Sequence, residues 1–264
     1  MNIVVIGGHG LIGSRVVERL RDTGHQVTAA SRRTGVDALT GAGLVEVLAG
    51  AEVVLDASNA PSFDAPAVGD FFQRSTANLL AACAQAGVGH FVALSVVGTP
   101  YLQGSDYFRA KAVQEQLVLH ARLPATLVRA TQCFEFMAQL IPPGAEREPV
   151  RLPLALVQPL AADDLGEALG RLATGPLPGG VVEIGGPERH RLFELVEWVM
   201  YFRQDDRPVV GDREARYYGA ALKELTLTPG AQAIIGTTRF ADWLGRHTAG
   251  QLPHVNQPDP LRLQ

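Results

Sequence analysis

Tyr107 and Lys111 stand four residues apart in Tyr-Phe-Arg-Ala-Lys, a spacing that puts both side chains on one face of a helix. The chain has 5 tyrosines, and Lys111 and Lys223 are its only lysines among 23 basic side chains, so the pairing carries information. A phenol beside a cation suits proton delivery. Its pKa of about 10 makes it a slow exchanger near neutrality unless a nearby positive charge favours the phenolate. Ser95 lies twelve residues before Tyr107 near the end of an apolar run, where its hydroxyl is expected to hold the oxygen that receives the proton. Lys111 would also hold the ribose of a bound nucleotide. The bland alternative is an exposed helix-start aromatic, a solvated lysine and a satisfied strand hydroxyl.

The elements that must position this trio follow from periodicity. Phe91–Val97 (FVALSVV) reads as a strand buried on both faces, Tyr107–Ala121 as the helix after it, and Ala125–Arg129 as the next strand. Upstream, Asn2–Ile6 (NIVVI) is a strand that stops at glycines, and Leu11, Val16, Val17 and Leu20 have helical spacing up to Gly24. Gln26–Ala30 is a second strand, and Val53–Leu55 a third that runs into Asp56-Ala-Ser-Asn59. Phe71–Ala86 is a helix closed by Gly87, and Pro61 and Pro66 mark the loop before it. Strands alternating with helices predict an α/β fold, a doubly wound parallel Rossmann sheet.

Gly7-Gly8-His9-Gly10-Leu11-Ile12-Gly13 sits where a phosphate-binding turn must sit, directly after a strand and opening a helix. One glycine permits the tight turn, Gly10 lets the backbone approach a pyrophosphate, and Gly13 allows close helix packing. The amides of Leu11, Ile12 and Gly13 would face the anion. His9 reads as a backbone bystander. An acidic residue at the end of the second strand would select an unphosphorylated ribose. Ser31-Arg32-Arg33 stands there instead, and a guanidinium pairs with a 2′-phosphate, so NADP(H) is favoured over NAD(H). Asn59, ending the third strand, is a further cofactor contact. Asp37 suits either the adenine amino group or a turn.

After Glu135 the rhythm loosens through Pro142, Pro143, Pro149 and Pro153. Two helices and brief strands around Val181–Ile184 and Val209–Val210 follow, with Asp163 or Asp164 expected to N-cap the helix through Leu172. The predicted organisation is a dinucleotide-binding domain over 1–135 and a small C-terminal lobe over 136–264, packed on the same domain above the carboxyl edge of the sheet.

Composition narrows the partners. Of 264 residues 47% are hydrophobic and 19% charged, which suits a buried core. A net charge of −4 without single-sign blocks argues against nucleic acid and membrane surfaces. No apolar run approaches the roughly 18 residues of a membrane span, and no leader precedes the first strand, so a cytoplasmic protein is expected. Cys83 and Cys133 match neither a disulfide framework nor a metal site and read as buried thiols.

With these motifs the chain resembles the short-chain dehydrogenase/reductase superfamily, in particular its extended and atypical branch with NmrA-like NAD(P)-binding proteins. The carrying pieces are Gly7-x-x-Gly10-x-x-Gly13, Leu-Ser95-Val-Val-Gly98, Tyr107-x-x-x-Lys111 and Arg129-Ala-Thr-Gln-Cys-Phe-Glu135. Gln158-Pro-Leu-Ala-Ala-Asp163-Asp164 and Val182-Glu-Ile-Gly-Gly-Pro187 extend it into the second half. The resemblance implies pyrophosphate binding by Gly7, Gly10 and Gly13, 2′-phosphate binding by Arg32, acid/base work by Tyr107 and assistance from Lys111. In the atypical branch the tyrosine is often absent.

Gln132, Phe134 and Phe136 follow the last clear strand of the first half. With Glu135 and Met137 they are expected to edge a substrate cavity, joined by Trp198, Phe202, Tyr217 and Tyr218 from the lobe. An apolar lining suits a small carbonyl, quinone or enone, and the expected activity is its NADPH-dependent reduction. The rival is a non-catalytic NADP(H)-sensing regulator of the NmrA-like kind, and a third reading is an isomerase or dehydratase. Natural substrate, reaction direction and oligomeric state are not legible.

Overall fold

The protein is described from a computed structural model that covers residues 1–144, 148–176 and 178–247. The amino-terminal strand β1 (Asn2–Ile6) leads through the glycine turn into α1 (Leu11–Asp22), which ends at Thr23 with Gly24 in the left-handed region at φ +84. Next come β2 (Gln26–Ala30), the short helix α2 (Leu44–Leu48), β3 (Val53–Asp56), α3 (Ala67–Ala86), β4 (His90–Val96), α4 (Asp106–Leu119) and β5 (Ala125–Ala130). The predicted elements match these closely. Helix α3 starts four residues early, and α2 has too short an apolar pattern to be visible in sequence.

The second half contributes β6 (Val150–Pro153), β7 (Leu156–Val157), α5 (Ala162–Thr174), β8 (Gly180–Gly185), β9 (His190–Arg191), α6 (Leu192–Phe202), β10 (Val209–Asp212), β11 (Ile234–Ile235) and α7 (Phe240–Gly245). These elements do not form a separate layer. Strands β8 and β11 extend the central sheet, whose order is β11-β8-β5-β4-β3-β1-β2 with every pairing parallel. Helix α5 packs on α1, while the remaining pieces gather over the carboxyl edge.

Three apolar clusters hold this together. Ile3, Val5 and Leu55 meet α1 and α5 on one sheet face, and Val4, Val54, Phe91 and Leu127 meet α2, α3 and α4 on the other. A third joins Phe63, Phe72, Tyr107 and Phe108 to Val157, Leu195, Val199, Tyr217, Phe240 and Trp243, which seats the C-terminal segments over the strand ends. The strand order reverses at β1, with β2 laid down on one side and β3 on the other. That crevice, outside the carboxyl ends of the strands, is where such sheets take ligands. The dinucleotide-fold order 3-2-1-4-5-6 has one more strand outside the second. Here β2 is the edge, and residues 31–52 form a 3-10 turn, an Asp37–Ala42 bridge and α2 instead.

No helix among the described residues is long and apolar enough to cross a membrane. Among them there is also no cluster of metal-ligating side chains, and both cysteines are buried free thiols, burial holding Cys83 up at about 12.

Candidate active site

The glycine turn folds back on itself. Gly7 has φ +74, its N–H donates to Ala30 O at 2.9 Å, and its carbonyl accepts the Gly10 N–H at 2.8 Å. A Cβ on Gly7 would lie 2.8 Å from Ala57 O, and one on Gly13 would lie 2.2 Å from Gly7 O, so both positions require glycine for packing. A Cβ on Gly10 would approach only Gly7 O, at 3.2 Å, which leaves its outer side open. Helix α1 has no side-chain N-cap and no acidic residue in its first turn, and Ser14 is the first amide satisfied from within, on Gly10 O at 3.0 Å. The preceding amides, of Leu11, Ile12 and Gly13, form an uncapped positive end that fits a pyrophosphate.

Beyond β2, Ser31 caps the 3-10 turn of Arg32, Arg33 and Thr34, with the Ser31 N–H donating to Thr34 Oγ1 at 3.0 Å. The Ser31 hydroxyl also meets His9 Nδ1 at 2.9 Å, so His9 bridges the glycine turn to the β2 end instead of standing by. Both arginines are exposed. Asp37 takes the turn role: its Oδ1 accepts the Leu39 N–H at 2.9 Å.

Ser105 Oγ accepts the Phe108 N–H at the start of α4, and the helix then carries Tyr107 and Lys111 under the carboxyl edge. Tyr107 is only 7% exposed, boxed by Phe63 (ring centroids 4.3 Å apart), Phe72, Phe108 and Tyr218. The Asn59 side chain lies close enough to its hydroxyl to act on it, which places Asn59 beside Tyr107 as well as near the crevice. Burial pushes the phenol above its ordinary range, and Asn59 opposes this. The sequence-based expectation that Lys111 lowers it is corrected here. The Lys111 ammonium, 3% exposed, donates to Leu94 O at 2.8 Å and to Gln114 Oε1, and lies 4.6 Å over the Phe72 ring. Its charge faces Asp56 and Glu115, while desolvation brings it down to about 8.

Asp56 escaped sequence reasoning, although a carboxylate ending an apolar strand was the available signal. It is fully buried, accepts from Ser58 N–H at 2.9 Å and from Gln114 Nε2 at 3.3 Å, and burial raises its pKa. Ser95 is a second correction. Its hydroxyl donates to Glu115 Oε1 at 2.6 Å, and Glu115 is clamped by Arg129 through Nε at 3.0 Å and Nη2 at 2.6 Å. Glu115 lies one helical turn beyond Lys111, so Ser95 faces that ion pair and not the Tyr107 hydroxyl.

On the substrate side the segment after β5 fills space where it was expected to edge a cavity. Phe134 is buried against Phe240 and Trp243, Met137 is buried with it, and Phe136 packs on the α1–α5 cluster. Glu135, its pKa raised by burial, accepts the Ala162 N–H at 3.2 Å and so caps α5, the role assigned above to Asp163 or Asp164. Asp164 instead accepts from the Thr237 and Thr238 amides at 2.7 Å. Gln132 is buried near Tyr217, and Trp198 is exposed with its ring against Phe240.

Residues 7–135 match the model of a protein family described as NAD(P)H-binding. A search of curated proteins finds no match. Among solved structures the chain is similar to Thermus thermophilus UDP-glucose 4-epimerase in complex with NAD, at TM-score 0.70 and 18% identity, over 96% of this chain and 99% of that one. An Escherichia coli NADPH-dependent quinone oxidoreductase is similar at TM-score 0.67 and 17% identity, over 92% and 98%. A Citrobacter triphenylmethane reductase complexed with NADP(H) gives 0.64 and 15%, over 80% and 79%. At these identities the likeness to solved structures is one of fold, and the match to the NAD(P)H-binding family runs from the glycine turn through the segment after β5, a little under half of the chain.

Proposed function

We propose that the protein is an NADPH-dependent reductase of a small, largely apolar carbonyl, quinone or enone, with Tyr107 as the proton donor. The observation that carries this reading is Tyr107, buried in an aromatic box at the carboxyl edge beside Asn59, with Lys111 one turn along the same helix. When bound, the reduced nicotinamide supplies a hydride. As that hydride would leave negative charge on the carbonyl oxygen, Tyr107 would give its proton to that oxygen and regain one from solvent. A phenol held above its ordinary pKa keeps its proton at rest, as a donor must. Lys111 keeps its charge toward Asp56 and Glu115 and donates to Leu94 O, so the group that favours the tyrosinate as it forms is Asn59. The amides of Leu11, Ile12 and Gly13 bind the pyrophosphate, and half-buried Ser31 with exposed Arg32 and Arg33 at the sheet edge receives a 2′-phosphate.

The same burial favours a second reading, an NADP(H)-sensing protein of the NmrA-like kind, because Tyr107 and Lys111 are both engaged by neighbouring groups. One experiment separates the two. Carbonyls, quinones and enones are offered with NADPH while its absorbance is followed, for wild type and Tyr107→Phe. The reductase reading expects turnover that falls about 10²–10⁴-fold in the variant, with NADPH affinity unchanged. NADPH binding without oxidation across the panel, or wild-type turnover in the variant, would refute it.

A further inference from the structure

With Ser95 turned to Glu115, the oxygen of a substrate needs other donors, and the lobe supplies one. Tyr217 opens a four-residue turn, Tyr217-Tyr218-Gly219-Ala220, closed by Tyr217 N–H to Ala220 O at 2.8 Å and Ala220 N–H to Tyr217 O at 3.0 Å. Tyr218 and Gly219 have φ of 49 and 79, the two successive positive values of a type I′ turn. A tyrosine is held in that region only where its surroundings over-determine it. Here its ring stacks on Tyr107 at 5.9 Å and reaches Phe63 at 5.7 Å. The turn is also docked against the segment before α4, since a Cβ on Gly104 would touch Ala220 Cα at 3.4 Å.

This rigid turn buries Tyr217, 5% exposed, with its ring against Phe108 and Tyr218, both of which also touch Tyr107. The two hydroxyls are near enough that a charge on one raises the pKa of the other. Gln132 approaches the same hydroxyl from the end of β5. Its backbone is fixed by the Leu160 N–H, which donates to Gln132 O at 3.0 Å. The side chain is 7% exposed, and its contact with Tyr217 falls short of hydrogen-bond geometry. Neither Oε1 nor Nε2 has a hydrogen-bond partner among the described residues. A buried amide with both ends unpaired is a rare and costly feature, and a ligand that brings an acceptor relieves it.

We propose that Tyr217 and Gln132 form the oxygen-binding half of the substrate site, donating to the acceptor oxygen of a planar conjugated carbonyl that Tyr107 protonates. The planar class follows from the walls: Phe63, Phe108 and Tyr218 set ring faces and edges against the rings of Tyr107 and Tyr217. This rests on the reductase reading above for the protonation step, and on geometry alone for the binding step.

The test uses the full chain and 9,10-phenanthrenequinone as the probe. Its binding is measured by titration with and without NADP+, where no turnover occurs, together with the infrared carbonyl stretch of the bound quinone. Tyr217→Phe and Gln132→Met are each expected to weaken quinone binding about tenfold, the size of one lost hydrogen bond to a desolvated oxygen. Both should move the carbonyl band back toward its free frequency and leave NADP+ affinity within about twofold. Should Tyr217→Phe lose its near-ultraviolet dichroism, Gln132→Met carries the same expectation without disturbing the turn. Wild-type affinity and band position in Gln132→Met, or no quinone binding by the wild type, would overturn the proposal. Quinone binding that depends on Tyr217 and Gln132 without NADPH oxidation would sink the reductase reading and leave this one standing. Tyr107-dependent turnover with unaltered quinone binding in both variants would do the reverse.

Discussion

Gly13→Ala should damage the cofactor turn from the inside, and the structure sets the size of the effect. A methyl group there would sit 2.2 Å from Gly7 O, 2.8 Å from Gly7 C and 2.9 Å from Gly8 Cα, all backbone atoms. An acceptable contact is about 1 Å longer, so the Gly7 carbonyl must move by roughly that distance. It is not free to do so, because it accepts the Gly10 N–H while the Gly7 N–H is tied to Ala30 O. Overpacking costs about 1–3 kcal/mol and the strained hydrogen bond about 1 more, against about 1 regained from the helix propensity of alanine. The net expectation is about 1–3 kcal/mol, or a Tm lower by roughly 2–12 °C for a chain of this size. Gly10→Ala is the control. Its Cβ meets one atom at 3.2 Å, so the apo protein should keep its Tm within about 2 °C while NADPH affinity falls, because the methyl group occupies the side left open for pyrophosphate. Thermal melts of both variants without cofactor, followed by NADPH titrations, check the pair. An unchanged apo Tm for Gly13→Ala would refute the argument that this glycine is required by packing.

Three more outcomes follow. Ser95→Ala should keep turnover within about threefold and lose about 1 kcal/mol of stability in urea melts, because its hydroxyl serves Glu115; a hundredfold loss of turnover would restore it to the catalytic group. Glu115→Ala strands Arg129 beside a buried gap and should cost about 3–5 kcal/mol, with a Tm within 2 °C of wild type refuting it. Lys111 titrates at about 8 when folded against its ordinary 10.5, so between those values the unfolded chain binds the extra proton and stability rises with pH. The difference between wild type and Lys111→Met in urea melts from pH 7.5 to 10.5 isolates that rise, and an identical slope in both would contradict it.

Much of the fold was legible because its signals are local. Unbroken apolar runs such as Phe91–Val97 have no folded solution but a strand covered on both faces, and the alternation with helices then dictates a parallel sheet. The glycine turn was legible for the same reason: adjacency of strand, glycines and helix is itself the requirement, and the contacts of Gly13 are made within the turn, although Gly7 packs on Ala57 at the end of β3. Spacing alone put Tyr107 and Lys111 on one face of a helix, since four residues are about one turn.

What each side chain touches was decided by tertiary structure, because the deciding partners are remote in the chain. Ser95 meets Glu115 twenty residues on, and Gln114 reaches Asp56 across fifty-eight. Phe134 looked like a pocket residue until Phe240 and Trp243 covered it, and Glu135 until the start of α5 arrived at its carboxylate. Tyr217 was legible only as one aromatic of the lobe among several, because its place in the aromatic cluster around Tyr107 depends on a turn more than a hundred residues away. A spacing rule fixes the face of a helix, but burial makes each polar group find a partner, and the fold chooses which partners are within reach.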